Sequence, residues 1–212
     1  MTTPLPLSFY DRDVVDVARA LLGQVLRRGS IALRITEVEA YAWPGDTACH
    51  ARAGRTPRTE ALFGPPGRAY VYLCYGLHHM LNVVTGGEHE AAAVLIRACE
   101  PIAGLSLVRR RRGGQQGPGL LAGPGKVGEA LALDISWTHH PLHEPGGLTL
   151  EPGTPPSRVL AGTRIGIEFA APRDRARRWR FAAADSRAVT HRAHLRPSVR
   201  PGARASGRDE LC

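Results

Sequence analysis

Apolar residues at Val14, Val17, Ala18, Leu21 and Leu22 recur at helical spacing, which predicts a helix capped by Asp11 and stopped at Gly23. Residues 25–27 and 31–41 lack that period and read as strands. In the second run Ile35, Glu37, Glu39 and Tyr41 fall on one face by the alternation of a strand, which sets two carboxylates beside a tyrosine. Residues 42–67 are rich in Gly, Pro, Thr and Arg and have little periodicity. They predict a long irregular surface segment, the kind of loop that often carries function.

Residues 68–74 and 79–85 predict a strand pair turning at Tyr75, Gly76 and Leu77, with a third antiparallel strand at 91–98. A helix over 102–112, a glycine-rich loop over 113–125, a short helix over 127–133 and strands near 163–169 follow. Beyond Phe181 there is little to bury, so disorder is expected from Ser186 onward. The chain of 212 residues thus reads as one α+β domain over residues 1–185 with an Arg-, Pro-, Gly- and Ala-rich tail at 186–212.

Charge changes this picture. The 28 basic residues face 19 acidic ones, for a net +9, which favours a polyanionic partner, nucleic acid first. Part of that charge is tail, where six arginines face Asp209 and Glu210. Lys126 is the only lysine, so nearly all the charge is guanidinium, suited to bidentate phosphate contacts and equally explained by a bias in composition. Four cysteines, none in a C-x-x-C clip, suggest neither a disulfide scaffold nor a metal site, and a reducing cytoplasm is expected. No signal peptide and no apolar run of spanning length is evident, so no membrane partner is expected.

Three of the five tyrosines, Tyr70, Tyr72 and Tyr75, lie within six positions beside His78 and His79. Tyrosine is a favoured strand residue, so Tyr70 and Tyr72 fit a half-buried sheet. Tyr75 is harder to explain structurally, because an aromatic ring at a hairpin tip gains little burial. Beside basic residues such a ring can wedge between stacked bases. Arg52, Arg55, Arg58 and Arg68 are candidate phosphate contacts, preferred over the run Arg109 to Arg112, which fits a solvated face. His50 is a loop histidine, with a zinc ligand as the less favoured alternative for want of a second ligand pair.

These residues also carry a resemblance. Phe9-Tyr10, Glu37-Val38-Glu39-Ala40-Tyr41, Thr56-Pro57-Arg58, Tyr70-Val71-Tyr72-Leu73-Cys74-Tyr75-Gly76, Asn82-Val83, Val94-Leu95-Ile96-Arg97-Ala98, Gly123-Pro124-Gly125-Lys126 and Trp179-Arg180-Phe181 stand in the order of a known family. In this combination the chain resembles the alkyladenine, or 3-methyladenine, DNA glycosylases of the mammalian N-methylpurine type. The resemblance implies a curved antiparallel sheet with flanking helices and a protruding tyrosine-tipped hairpin. It implies Glu39 as general base, Arg97 as holder of the reacting water, and Tyr41, His50 and Tyr72 around an extruded base. Asn82 falls where guanine is discouraged, or is a polar strand residue satisfying a neighbour, and Tyr75 falls where the family's tyrosine fills the gap left by a flipped nucleotide. Glu37 is given a structural or supporting role.

The expected activity is base-excision repair: hydrolysis of the N-glycosidic bond of 3-methyladenine, 7-methylguanine and related purines in double-stranded DNA. No metal or organic cofactor is expected, and a monomer is the default. Lys126, apart from the proposed base, argues against a Schiff-base lyase step. After Phe181 the chain departs from the family: a Gly-Asn-Pro-like segment is expected where Ala182-Ala183-Ala184-Asp185-Ser186 stands. That departure keeps open a relative without activity, beside a non-catalytic nucleic-acid binding module and a metal-dependent hydrolase using His50, His78 and His79.

Overall fold

Asp13, not Asp11, caps the first helix, because its carboxylate reaches the backbone N–H groups of Val15 and Asp16 at the start of α1 (Val14–Leu21). The computed structural model describes residues 3–87 and 90–198. Val14, Val17, Ala18 and Leu21 of α1 are buried, as the helical spacing predicts.

β1 (Val25–Arg28) and β2 (Ile31–Trp43) form the hairpin that follows. β2 is the spine of the fold. It runs antiparallel to β5 (Ala91–Ala103), which is reached through the hairpin of β3 (Ala69–Cys74) and β4 (His78–Val84). The β3–β4 turn is closed by the N–H of Leu77 donating to the carbonyl of Cys74 at 3.0 Å. Tyr75 and Gly76 between them both have positive φ, 50° and 68°. That conformation is natural for glycine and costly for tyrosine.

The β2–β5 ladder slips twice around Glu37: Ile35 faces Cys99, Glu37 faces Ala98 and Val38 faces Ile96, which leaves Thr36 and Arg97 unpaired. These offsetting bulges correct the expectation that Ile35 shares a face with the acidic residues. Ile35 instead joins Val38 and Ala40 in the main apolar cluster, while Thr36 and Glu37 both turn to the C-terminal segment. Bulges re-aim side chains in this way and are common beside active sites.

After β5 come α2 (Leu105–Arg111), shorter than expected because residues 102 and 103 still belong to the strand, and α3 (Pro124–Ala130), which starts within the expected loop. α3 lies flush on β4: a Cβ on Gly128 would stand 2.1 Å from the His79 carbonyl oxygen, and one on Gly125 would stand 2.7 Å from the His78 ring. The arginines near α2 serve this packing. Arg28 donates to the carbonyls of Leu131 and Ala132, Arg111 donates to that of Ala130, and Arg112 pairs with Glu129. The end of α3, with its unsatisfied carbonyls, is thus covered by cations.

β6 (Leu148–Glu151) pairs with β1; β7 (Val159–Gly162), α4 (Pro172–Arg175), β8 (Arg180–Ala183) and β9 (Arg196–Pro197) complete the chain. No strand forms at 163–169; β7 ends just before it. Among the described residues the nine strands form one antiparallel sheet in the order β3-β4-β5-β2-β8-β7-β9, with β1 and β6 on a branch from β2. The α+β class is therefore as the sequence predicts, with few and short helices.

The segment after β8 differs from expectation. Up to Ser198 it packs on the sheet, with Ser186, Ala188, Val189 and Leu195 buried. Small apolar residues between arginines are enough here because backbone and hydroxyl groups bond inward. The rest of the expected tail, like residues 88 and 89, lies outside the described residues. No helix among the described residues is long and apolar enough to cross a membrane.

Candidate active site

At the junction of β2, β3, β4 and β5 lies a cavity of about 260 Å³. Its lining includes Tyr41, His50, Tyr70, Tyr72, Asn82, Arg97 and the exposed Phe169. Alternation along the strands delivers these side chains: Tyr70 and Tyr72 from β3, Asn82 from β4, Leu95 and Arg97 from β5. The irregular segment at 42–67 supplies His50 from a single 3₁₀ turn, His50–Ala53. Its size suits one flat heterocycle, below the range of drug-sized ligands.

The walls are aromatic. The rings of His50 and Tyr72 meet edge to face with centroids 4.6 Å apart, and the rings of Tyr70 and Tyr72 lie 5.6 Å apart. His50 Nδ1 hydrogen-bonds the Tyr70 hydroxyl at 3.0 Å. Burial, with help from the positive charges of Arg58 and Arg52, lowers the His50 pKa to about 4. The ring is therefore neutral at physiological pH and does not repel a cation in the cavity. Asn82 donates from Nδ2 to the Tyr70 carbonyl at 3.2 Å, which fixes its amide in the wall. This bond satisfies a neighbour and leaves the amide lining the cavity.

Beneath the wall sits Glu39, with no exposed surface. Its Oε2 accepts from the Tyr41 hydroxyl at 2.7 Å and from Arg97 Nη1 at 3.2 Å; its Oε1 accepts from the backbone N–H of Ile165 at 2.8 Å. All three donors line the cavity. Burial and the adjacent Glu39 carboxylate hold the Tyr41 pKa well above that of a free phenol, so Tyr41 remains a donor. Burial works against the charge of Arg97, but Glu39 and Glu37 beside it raise its pKa. Glu37 is also fully buried and stands 3.5 Å from Arg97 Nε.

A second buried pair supports the site from behind. Arg164 binds Asp46 through both of its terminal nitrogens, at 2.5 and 2.8 Å, and also donates to the Ala40 carbonyl. Its guanidinium lies 4.6 Å from the centre of the Tyr41 ring. Sequence reasoning did not assign Asp46 or Arg164 to the site. Ile165 could not be read at all, because its contribution is a backbone N–H.

The remaining expected residues divide. Tyr75 stands at the hairpin tip with 92% of its surface exposed, and it also borders the cavity. Arg52 stacks on Phe169 and Arg58 lies over Tyr72, both at the cavity rim. Arg55 pairs with Glu60 on the exposed surface. Arg68 stands at the start of β3, remote from the tip, where it donates to the His139 carbonyl. No group of His, Cys, Asp and Glu among the described residues is arranged to hold a metal ion, His50, His78 and His79 included.

The site is thus a small aromatic cavity over a buried carboxylate and guanidinium, beside an exposed tyrosine at a hairpin tip. The sequence pattern of the Methylpurine-DNA glycosylase family matches residues 8–187, and the chain belongs to that family of enzymes, hydrolases of N-glycosyl bonds in DNA. The chain is 60% identical over 197 residues to the "Putative 3-methyladenine DNA glycosylase" of Nitrosococcus oceani, spanning 93% of this chain and 98% of that one. It is 53% identical over 184 residues to the DNA-3-methyladenine glycosylase of Arabidopsis thaliana, spanning 86% and 72% respectively.

Proposed function

We propose that this enzyme binds double-stranded DNA as a monomer, rotates a damaged purine out of the helix into the aromatic cavity, and hydrolyses its glycosidic bond to leave an abasic site. The substrates are alkylated purines, 3-methyladenine and 7-methylguanine, with hypoxanthine and ethenoadenine as neutral candidates. The observation that carries this reading is Glu39: a buried carboxylate whose three protein donors all line a cavity of nucleobase size.

In this reading the bond between C1′ and the purine nitrogen breaks with its electron pair leaving on the base. Positive charge builds on the sugar, and Glu39 stabilises it while taking a proton from the water whose oxygen bonds to C1′. A carboxylate has about four acceptor positions, and three are occupied here, so one remains for that water. Arg97 pairs with Glu39 and helps hold the water. Tyr41, neutral His50 and Tyr72 stack on the electron-poor base, and Asn82 disfavours guanine. Tyr75 fills the vacated stack, while Arg52, Arg55, Arg58 and, more remotely, Arg68 meet phosphates.

The test is release of free base from methylated DNA and from duplexes carrying single hypoxanthine, ethenoadenine or 7-methylguanine. Wild-type protein is expected to release damaged purines and to leave strand breaks only after alkali. Glu39→Gln is expected to slow release by roughly 10²- to 10⁴-fold, the range of general-base catalysis. Tight binding by the wild type with no release from any substrate would replace this reading with that of a binding module or an inactive relative.

A further inference from the structure

Glu37 lies outside the cavity wall, yet its surroundings are built as carefully as those of Glu39. Its Oε2 accepts the backbone N–H of Thr190 at 2.7 Å, and the Thr190 hydroxyl stands 2.7 and 2.9 Å from its two oxygens. Arg180 Nη1 adds a bond at 3.1 Å and also donates to the Thr190 carbonyl at 2.9 Å. The carboxylate held in this way faces Arg97 Nε at 3.5 Å, and that nitrogen has no hydrogen bond of its own.

Arg97 is therefore gripped at two points. Its Nε edge faces Glu37, and Nη1 reaches Glu39. A guanidinium is a rigid plane, so fixing one edge sets the direction of the other. Arg97 also occupies the position of β5 that has no partner on β2, its carbonyl accepting instead from the Gly123 N–H at 3.0 Å. The carboxylate of Glu37 restrains the Nε edge of the Arg97 side chain, and Thr190, together with Arg180, orients that carboxylate.

We propose that Thr190, acting through Glu37, is a positioning residue that aims Arg97 at Glu39, so that the C-terminal segment after β8 takes part in organising the catalytic end of the cavity. This rests on the reading of Glu39 and Arg97 as the groups that serve the reaction. A bland alternative is that Thr190 merely fastens the segment to the sheet. The structure supplies a control for it: the Thr36 hydroxyl, buried, donates to the Ala188 carbonyl at 2.6 Å and so fastens the same segment without touching the Glu37 carboxylate.

The experiment compares Thr190→Val, Thr190→Ser and Thr36→Val in single-turnover base release at saturating enzyme, with affinity for abasic-site duplex and urea unfolding measured alongside. Thr190→Val is expected to slow release about tenfold, equivalent to about 1.4 kcal/mol in the barrier, with affinity within about twofold of wild type. Thr190→Ser, which keeps the hydroxyl, restores the wild-type rate. Thr36→Val loses comparable stability yet releases base within about twofold of the wild-type rate. If Thr190→Val does not fold, Thr190→Ala carries the same expectation. Equal slowing by the Thr190 and Thr36 variants, or failure of serine to rescue, overturns the inference. Wild-type release by Glu39→Gln overturns the underlying reading, and this inference with it.

Discussion

The two ends of the site are built on opposite principles. Around Glu39 polar groups are buried and paired: Glu37, Glu39, Arg97 and Arg180 lie together in the sheet interior, and every carboxylate oxygen has a donor. At the hairpin tip Tyr75 stands 92% exposed in a left-handed backbone conformation, near Leu77, itself 76% exposed. Removing one partner from a buried ion network typically costs about 3–5 kcal/mol, which makes the first region rigid. An exposed ring at positive φ adds little to folding and costs backbone strain. The groups proposed to do the chemistry are thus oriented before a substrate arrives, whereas the group proposed to invade DNA is left unsatisfied until it does.

The strut between the regions is α3: Pro124 borders the cavity, and Gly125 and Gly128 lie against β4. The strongest way to break the contrast is Gly128→Ala. Its methyl group would meet the His79 carbonyl, forcing α3 off the hairpin, with an expected loss of about 1–3 kcal/mol in urea unfolding and weaker binding of damaged duplex. Unchanged stability and binding would show that α3 does not brace the hairpin. Tyr75→Gly separates the regions more finely. Stability is expected to rise by about 1 kcal/mol as the strained φ is relieved, while affinity for damaged duplex falls by about 1–3 kcal/mol, the worth of one stacking ring. A variant that loses stability instead would show that the tip is packed rather than free.

The last comparison concerns His50, whose effect is absent at neutral pH and appears only on acidification. The unfolded chain takes up a proton near the ordinary value of 6.5, whereas burial and the nearby Arg58 and Arg52 delay uptake in the folded protein until about 4. Between those values the unfolded state binds more protons, so stability falls as pH drops, by at most about 1.4 kcal/mol per pH unit. His50→Gln is expected to flatten that part of the curve of urea midpoint against pH. A curve identical to that of the wild type would mean that His50 is not buried neutral.

The period of two along residues 31–41 revealed β2 and put Glu37, Glu39 and Tyr41 on one side, and the aromatic turn revealed the β3–β4 hairpin. Both signals are strong because long strands repeat their pattern. The bulges at Thr36 and Arg97 break that pattern, so the placement of Ile35 was lost in the phase change. β6, β7 and β8 have four residues each, too few for alternation to declare itself. The C-terminal segment escapes for a different reason: its composition is that of an unpacked tail, and its anchoring rests on particular bonds such as those from Thr190 to Glu37. In the Arg109–Arg112 run, whose composition fits a solvated face, Arg111 and Arg112 instead serve the packing of α3.

Cys49 borders the cavity and is almost wholly enclosed, and burial raises its pKa to about 11. Electrophiles attack sulfur as the thiolate, and a thiol held protonated reacts slowly. With its thiol enclosed and held protonated, Cys49 offers the cavity a sulfur that is a poor nucleophile, obtained simply by burying one side chain.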